Sequence, residues 1–438
     1  MNSLNQSIES TTIKKTMIRI LPFTFICYVI AYLDRVNLGF AALEMNASLG
    51  LSAEVFGLLS GIFFLGYFLF EIPSNMIMHK VGAKVWIARI MISWGIIVAL
   101  TAFVQSATHL YIARFSLGIA EAGFFPGVIL YFTYWFRNKE RGRASASLLM
   151  ALPIGTIIGA PLSTWIMDNI AWYGIAGWRW MFILEGIPAI ILGVVTLFYL
   201  NNRPKDATWL KEEEKNWLEN ELDRERRQSL AVNKASKLEM FKDSKVWKLA
   251  FIYFANYTAI YGLSFWLPSI IKSFATNSNN IEIGWLTIIP ALIGIPSMLL
   301  FGWSSDKRNE HKKHLIASFL IAASGFILCG FADSALTMIT LIAFAAIGLY
   351  GFVGAFFSFM TLFFTESTAP AGIATVNAFA SLGGFLGPMI FGKLAISNGM
   401  FVIGALAILA CVVTLSLRQN GLSVVNGKEN IDKNTFNQ

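Results

Sequence analysis

Apolar runs of about 19 to 30 residues recur twelve times along this 438-residue chain, at 17–42, 52–78, 84–104, 109–136, 143–167, 179–200, 246–271, 283–304, 314–332, 335–364, 371–396 and 399–417. At about 1.5 Å per residue, each can cross a hydrocarbon layer about 30 Å thick as a helix. Strands of a membrane barrel would instead show about ten residues of alternation. Hydrophobic residues make up 56% of the chain and charged ones 14%, which excludes an ordinary soluble domain. The reading is an all-α membrane protein with twelve transmembrane helices in two six-helix halves. Its expected parts are an N-terminal tail (1–16), a first half (17–200), a linker (201–245), a second half (246–418) and a C-terminal tail (419–438) that reads as disordered.

The net charge of +8 has a topological cause and does not call for nucleic acid. Of 34 Lys and Arg residues, 29 fall in the tails, the linker and the loops on one side, which makes that side and both termini cytoplasmic. The other five are Arg35, Arg114, Arg179, Lys272 and Lys393. Cys27, Cys329 and Cys411 sit in apolar runs at spacings that fit neither a metal cluster nor a disulfide framework. No short apolar stretch with a cleavage site precedes the first run, so that run serves as its own targeting signal.

Shifted by 227 residues, the second six runs lie over the first six without gaps. Pro161 then falls on Pro388 and Gly127 on Gly354. Two halves related by an axis along the membrane normal, with a site between them near mid-depth, are a known transporter architecture. Under this shift Asp34 and Arg35 fall on Tyr261 and Gly262, Arg114 on Leu341, and Glu121 on Gly348. The intramembrane charge therefore belongs to the first half alone.

A charge at bilayer depth costs at least about 2.5 kcal/mol, so such groups face partners or a cavity. Arg114 and Glu121 are seven residues apart and share a helix face. Counted at about 1.5 Å per residue, they lie about 6 and 17 Å from the outer interface, and Asp34 about 12 Å. Two acids and two bases in one depth band can pair and cancel, leaving an arginine fork able to take a carboxylate and an acid able to take a proton. Asp34 and Glu121 are the expected proton-coupling groups, and Arg35 and Arg114 the expected anion ligands.

Other polar groups are less decided by sequence. Glu71 reads as structural. Glu185 is either a partner for a neighbouring helix or a further proton site. Tyr28, Tyr32, Tyr67, Tyr257 and Tyr261 offer hydroxyls, and Asn256 and Asn377 are either glue between helices or substrate ligands. In the two related cytoplasmic loops, Lys80, Gly82, Asp306 and Lys307 sit at helix ends, where charges can hold the halves in one of two rocking states. No nucleophile with its base, metal spacing or nucleotide-binding loop appears, so an enzyme is not expected and no cofactor is called for.

The motifs Tyr32-Leu33-Asp34-Arg35-Val36-Asn37-Leu38-Gly39-Phe40-Ala41, Glu71-Ile72-Pro73-Ser74-Asn75, Arg114 to Gly127, Trp178-Arg179-Trp180-Met181-Phe182 with Glu185-Gly186, and Tyr261 to Pro268 together resemble the anion:cation symporter family of the major facilitator superfamily. Within it the chain is similar to the branch of tartrate, hydroxyphenylacetate, phthalate and rhamnogalacturonide transporters. The resemblance covers about residues 17–418 and implies a monomer in a bacterial inner membrane that takes up a small organic anion with a proton. It also implies that Tyr32, Tyr67 and Asn377 touch the substrate. Asn75 and His79 stand where the superfamily's loop signature has Gly and Asp, whereas the second copy keeps Gly302 and Asp306. The alternatives are an exporter or antiporter of the same fold, a sodium-coupled carrier, and, more remotely, a sensor that does not transport.

Overall fold

The computed structural model describes residues 2–232, 243–364 and 369–417. The C-terminal tail, read above as disordered, lies outside the described residues. The first half comprises α1 (Asn2–Leu49), α2 (Ala53–Val81), α3 (Ala83–Thr101), α4 (Ala107–Glu121), α5 (Phe124–Phe132), α6 (Asn138–Leu149), α7 (Ala151–Asn169) and α8 (Gly177–Tyr199). The linker carries α9 (Glu212–Val232). The second half comprises α10 (Ser244–Phe274), α11 (Asn280–Arg308), α12 (His311–Cys329), α13 (Ala335–Thr361), α14 (Ala369–Lys393) and α15 (Ile396–Ser416). Among the described residues there is no strand.

Eleven stretches are long and apolar enough to cross a membrane, with α4 and α5 forming one and α6 and α7 another. The twelfth crossing is α10, which is 31 residues long. Its lower hydropathy has a physical reason: Asn256, Thr258, Tyr253 and Tyr261 are buried against other helices and not against lipid. The expected fold class is thus observed. Shifting α2 by 227 residues lands on both ends of α11.

Two local departures from the expected helices matter. The first helix is not confined to 17–42 but runs from Asn2 to Leu49, because its polar start is held by contacts outside the bundle. Lys15 pairs with Glu214 of α9 at 2.7 Å, and Glu9 pairs with Arg137 at 2.7 Å. The fourth crossing, read as continuous over 109–136, breaks after Glu121. Ala122 leaves helical geometry and Gly123 takes a φ of +85°, a left-handed conformation that glycine adopts without cost. This irregular backbone is tolerated at membrane depth because Ala122 and Phe124 are fully enclosed by protein.

Lipid supplies no hydrophobic drive between helices, so close packing of small residues sets their approach. A Cβ on Gly118 of α4 would lie 2.1 Å from the Phe63 carbonyl oxygen of α2, and one on Gly66 would lie 2.5 Å from the Phe115 carbonyl oxygen. This pair of glycines brings α4, with its two charges, onto α2. Leu69, Phe70, Ile72 and Met76 of α2 point outward and form apolar surface of the kind lipid covers.

The end carrying α9 is called here the linker side and the opposite end the far side. At the far side the halves are closed on each other. Asn280 at the start of α11 donates to Glu44 of α1 and to Asp168 of α7, both at 2.7 Å, while the Ile281 N–H donates to Asp168 at 3.0 Å. Below these contacts Gly57 of α2 abuts Gly392 and the Pro388 carbonyl oxygen of α14. On the linker side α9 rests on the first half, where Trp209 stacks on Trp135 with centroids 5.4 Å apart and Glu225 accepts from the Asn138 N–H.

Candidate functional site

A cavity lies between the halves on the linker side of that seal. Its walls are Tyr28 and Arg35 of α1, Phe64, Tyr67 and Glu71 of α2, Phe125 of α5, Tyr257 of α10, and Asn377 and Ser381 of α14. The Arg35 guanidinium donates through Nη2 to Glu121 Oε1 and through Nη1 to the Tyr261 hydroxyl at 2.9 Å. It also lies 5.2 Å from the Phe63 ring centre and 5.7 Å from that of Tyr67. One arginine thus bridges an acid of the first half and a phenol of the second, and it forms part of the cavity wall. Breaking a buried pair by removing one partner costs about 3–5 kcal/mol, because the remaining charge is uncompensated.

The four charges do not form two pairs. Asp34 accepts from the Trp94 indole N–H of α3 at 2.6 Å and from no arginine. Arg114 is 2% exposed, too enclosed to reach the headgroups. It lies 5.2 Å from the Phe63 ring centre and 5.8 Å from that of Phe265, and its Nε and Nη2 have no hydrogen-bond partner among the described residues. The expected cancellation is made by Arg35 and Glu121 alone. The difference arises from rotation of α1, which turns Asp34 toward α3 while Arg35 faces the second half.

Of the expected ligands, Arg35, Tyr67 and Asn377 line the cavity, and Tyr261 stands behind Arg35 as its acceptor. Tyr32 is buried against Gly155 of α7, off the cavity wall. Asn256 is buried with neither amide atom hydrogen-bonded among the described residues, and it lines no cavity. Glu185 accepts from Ser163 at 2.6 Å and lies against Asn37, a polar contact internal to the first half. Glu71, read as structural, is on the cavity wall. Phe64, Phe125 and Ser381 were not singled out by sequence. Only Ser381 carried a signal, since it stands one turn from Asn377 on the same face of α14.

The helix-end residues stay within their own halves. Gly82 ends α2 with a φ of +91° and packs against Asn202. Lys80 is exposed, Lys307 lies 4.7 Å from the Trp303 ring centre, and Asp306 is 3.7 Å from His311. His79 meets the Tyr134 hydroxyl at 3.3 Å. Outside the bundle, burial raises the Glu214 carboxyl, but Lys15 and the Lys211 N–H outweigh it and hold the group below its ordinary range.

The profile of the Major Facilitator Superfamily matches residues 24–362 and 273–434. The chain belongs to this superfamily. A protein of Agrobacterium vitis named "Putative tartrate transporter" is 42% identical over 421 residues, 94% of this chain and 96% of that protein. A "Quinolone resistance transporter" of Acinetobacter baumannii is 37% identical over 398 residues, covering 90% and 91%. The branch expected from the motifs is therefore where full-length relatives of this facilitator lie, and it is a multi-pass membrane transporter and not an enzyme. Its fold matches the partially occluded inward-open xylose transporter XylE of E. coli with a TM-score of 0.76 at 15% identity, over 92% of this chain and 97% of that one.

Proposed function

We propose that this facilitator is a secondary active symporter that carries a small organic anion with a proton, by rocking its halves about the central cavity. The observation that supports this reading is the position of Arg35, which is bonded at once to Glu121, to Tyr261 and into the cavity wall. A substrate carboxylate is a better acceptor for a guanidinium fork than a phenol and competes with Glu121 for it. Once its counter-ion is engaged elsewhere, the buried Glu121 carboxyl is neutralised by a proton. Anion and proton then enter the same state together, which is the coupling a symporter needs.

Asp34 holds its own proton-accepting position on α3, and Arg114 adds positive charge that favours an anion at this depth. The sealed far side and the cavity beyond it correspond to the inward-facing state if the linker side is cytoplasmic, as the distribution of Lys and Arg supports. Lys80, Gly82, Asp306 and Lys307 would engage across the halves when the linker side closes, with Tyr32 and Asn256 reaching substrate only after that movement. The membrane is the bacterial inner membrane, and the protein works as a monomer.

The test is uptake of labelled tartrate and related acids by proteoliposomes. Uptake rises with an inward proton gradient and is indifferent to sodium under this reading. Sodium dependence with proton indifference would replace the coupling ion. A second reading, export of an anionic drug, draws support from the relative named for quinolone resistance. Accumulation in inside-out but not in right-side-out vesicles would favour it.

A further inference from the structure

We infer that Glu71 is a specificity-determining residue of the same cavity, reading the end of the substrate that Arg35 does not hold. This rests on the reading of the cavity as an organic-anion site. Glu71 lines the cavity with Tyr67 and Asn377. Its backbone oxygen accepts from Asn75 at 2.9 Å, but no hydrogen bond or ion pair reaches its carboxylate among the described residues. It is therefore the acid of the cavity wall that the protein leaves unmatched, whereas Glu121 has Arg35 and Asp34 has Trp94.

The spacing defines what it can read. Arg35 lies over the rings of Phe63 and Tyr67, and Glu71 follows Tyr67 by one turn of the same helix, about 6 Å along its axis. A chain of four or five carbons, with its carboxylate on Arg35, places its other end at Glu71. An ionised carboxylate is acceptor-only, so it accepts from a hydroxyl or a protonated nitrogen and repels a second carboxylate. The tyrosines between, Tyr67 and Tyr257, interact electrostatically with Glu71 and offer further hydroxyls along the path. The cavity selects a monocarboxylate whose far end donates hydrogen bonds, and it discriminates against dicarboxylates of the same length.

The experiment is ligand binding to the purified full chain at pH 8, followed by intrinsic fluorescence. The probes are butyrate, 4-hydroxybutyrate, 4-aminobutyrate, succinate and glutarate, on the wild type, Glu71→Gln and Arg35→Ala. The wild type binds the hydroxy and amino acids at least about tenfold more tightly than either dicarboxylate, this being about the size of one charge-assisted contact. In Glu71→Gln that ratio falls toward one, while butyrate affinity stays within about twofold because butyrate has nothing at that end. Acids that bind in an Arg35-dependent way with the same ratio in Glu71→Gln, or a wild type that prefers the dicarboxylates, would overturn the inference alone. Absence of binding by every acid, or binding unaffected by Arg35→Ala, would overturn the anion reading beneath it.

Discussion

Asp34 and Arg35 are consecutive residues of α1 whose side chains serve different surroundings: Asp34 is tied to Trp94 inside the first half, and Arg35 reaches Tyr261 of the second. One step along a helix turns through about 100°, enough to place one charge in the scaffold and the other at the moving interface. Only the second is positioned to feel the substrate directly.

Trp94 gives Asp34 its hydrogen bond, and replacing it with Phe removes the donor while keeping most of the ring volume. A buried acceptor left unpaired costs about 1–3 kcal/mol. Trp94→Phe lowers the thermal midpoint of the purified protein, and the double variant with Asp34→Asn loses less than the sum of the two singles. Additive losses would show that the two residues do not act together.

Gly118 holds α4 on α2, with the Phe63 carbonyl oxygen in the way of any side chain. Gly118→Ala forces the helices apart and carries Glu121 away from Arg35. Overpacking of this kind costs about 1–3 kcal/mol. Uptake falls sharply while the protein still inserts in the membrane. Wild-type uptake by this variant would mean that the α2–α4 distance does not set the pair.

Asn280 bridges Glu44 and Asp168 at the far side. Asn280→Ala leaves the two carboxylates facing each other and shifts the population toward opening on that side, by tenfold for each 1.4 kcal/mol lost. A cysteine at Leu267 then reacts faster with an impermeant maleimide applied from the far side, over a low background because Cys27, Cys329 and Cys411 are buried. Unchanged labelling would place the seal on the glycine contacts alone.

The docking of α9 depends on pH through Glu214. Its carboxyl titrates lower in the folded protein than in the unfolded chain, so it contributes stability above its ordinary value near 4.5 and loses it as pH falls through the folded value. Glu214→Gln at pH 7 reproduces the acid state. In both cases protease cleaves the linker several times faster than in the wild type at pH 7. Equal cleavage would show that Trp209 and Trp135 hold α9 without the ion pair.

Helix number and repeat were legible in the sequence because lipid imposes one length on every apolar run, and α2 and α11 show the repeat at both ends. The presence of Asp34, Arg35, Arg114 and Glu121 at one depth was legible for the same reason. Their partners were not. Periodicity shows which residues share a face of one helix but not how that helix is rotated against others, so neither Trp94 beside Asp34 nor the cavity-facing position of Glu71 could be read. The break after Glu121 was hidden as well, since Ala122-Gly123 lies in an unbroken apolar context and its geometry is held by surrounding protein.

The central claim is that Glu121 carries the proton that an anion on Arg35 requires, and gradient-driven uptake by Glu121→Gln in proteoliposomes tests it most directly. The account predicts that this variant exchanges labelled for unlabelled anion across the membrane but does not accumulate it when an inward proton gradient is imposed. Accumulation at the wild-type level under that gradient would contradict it.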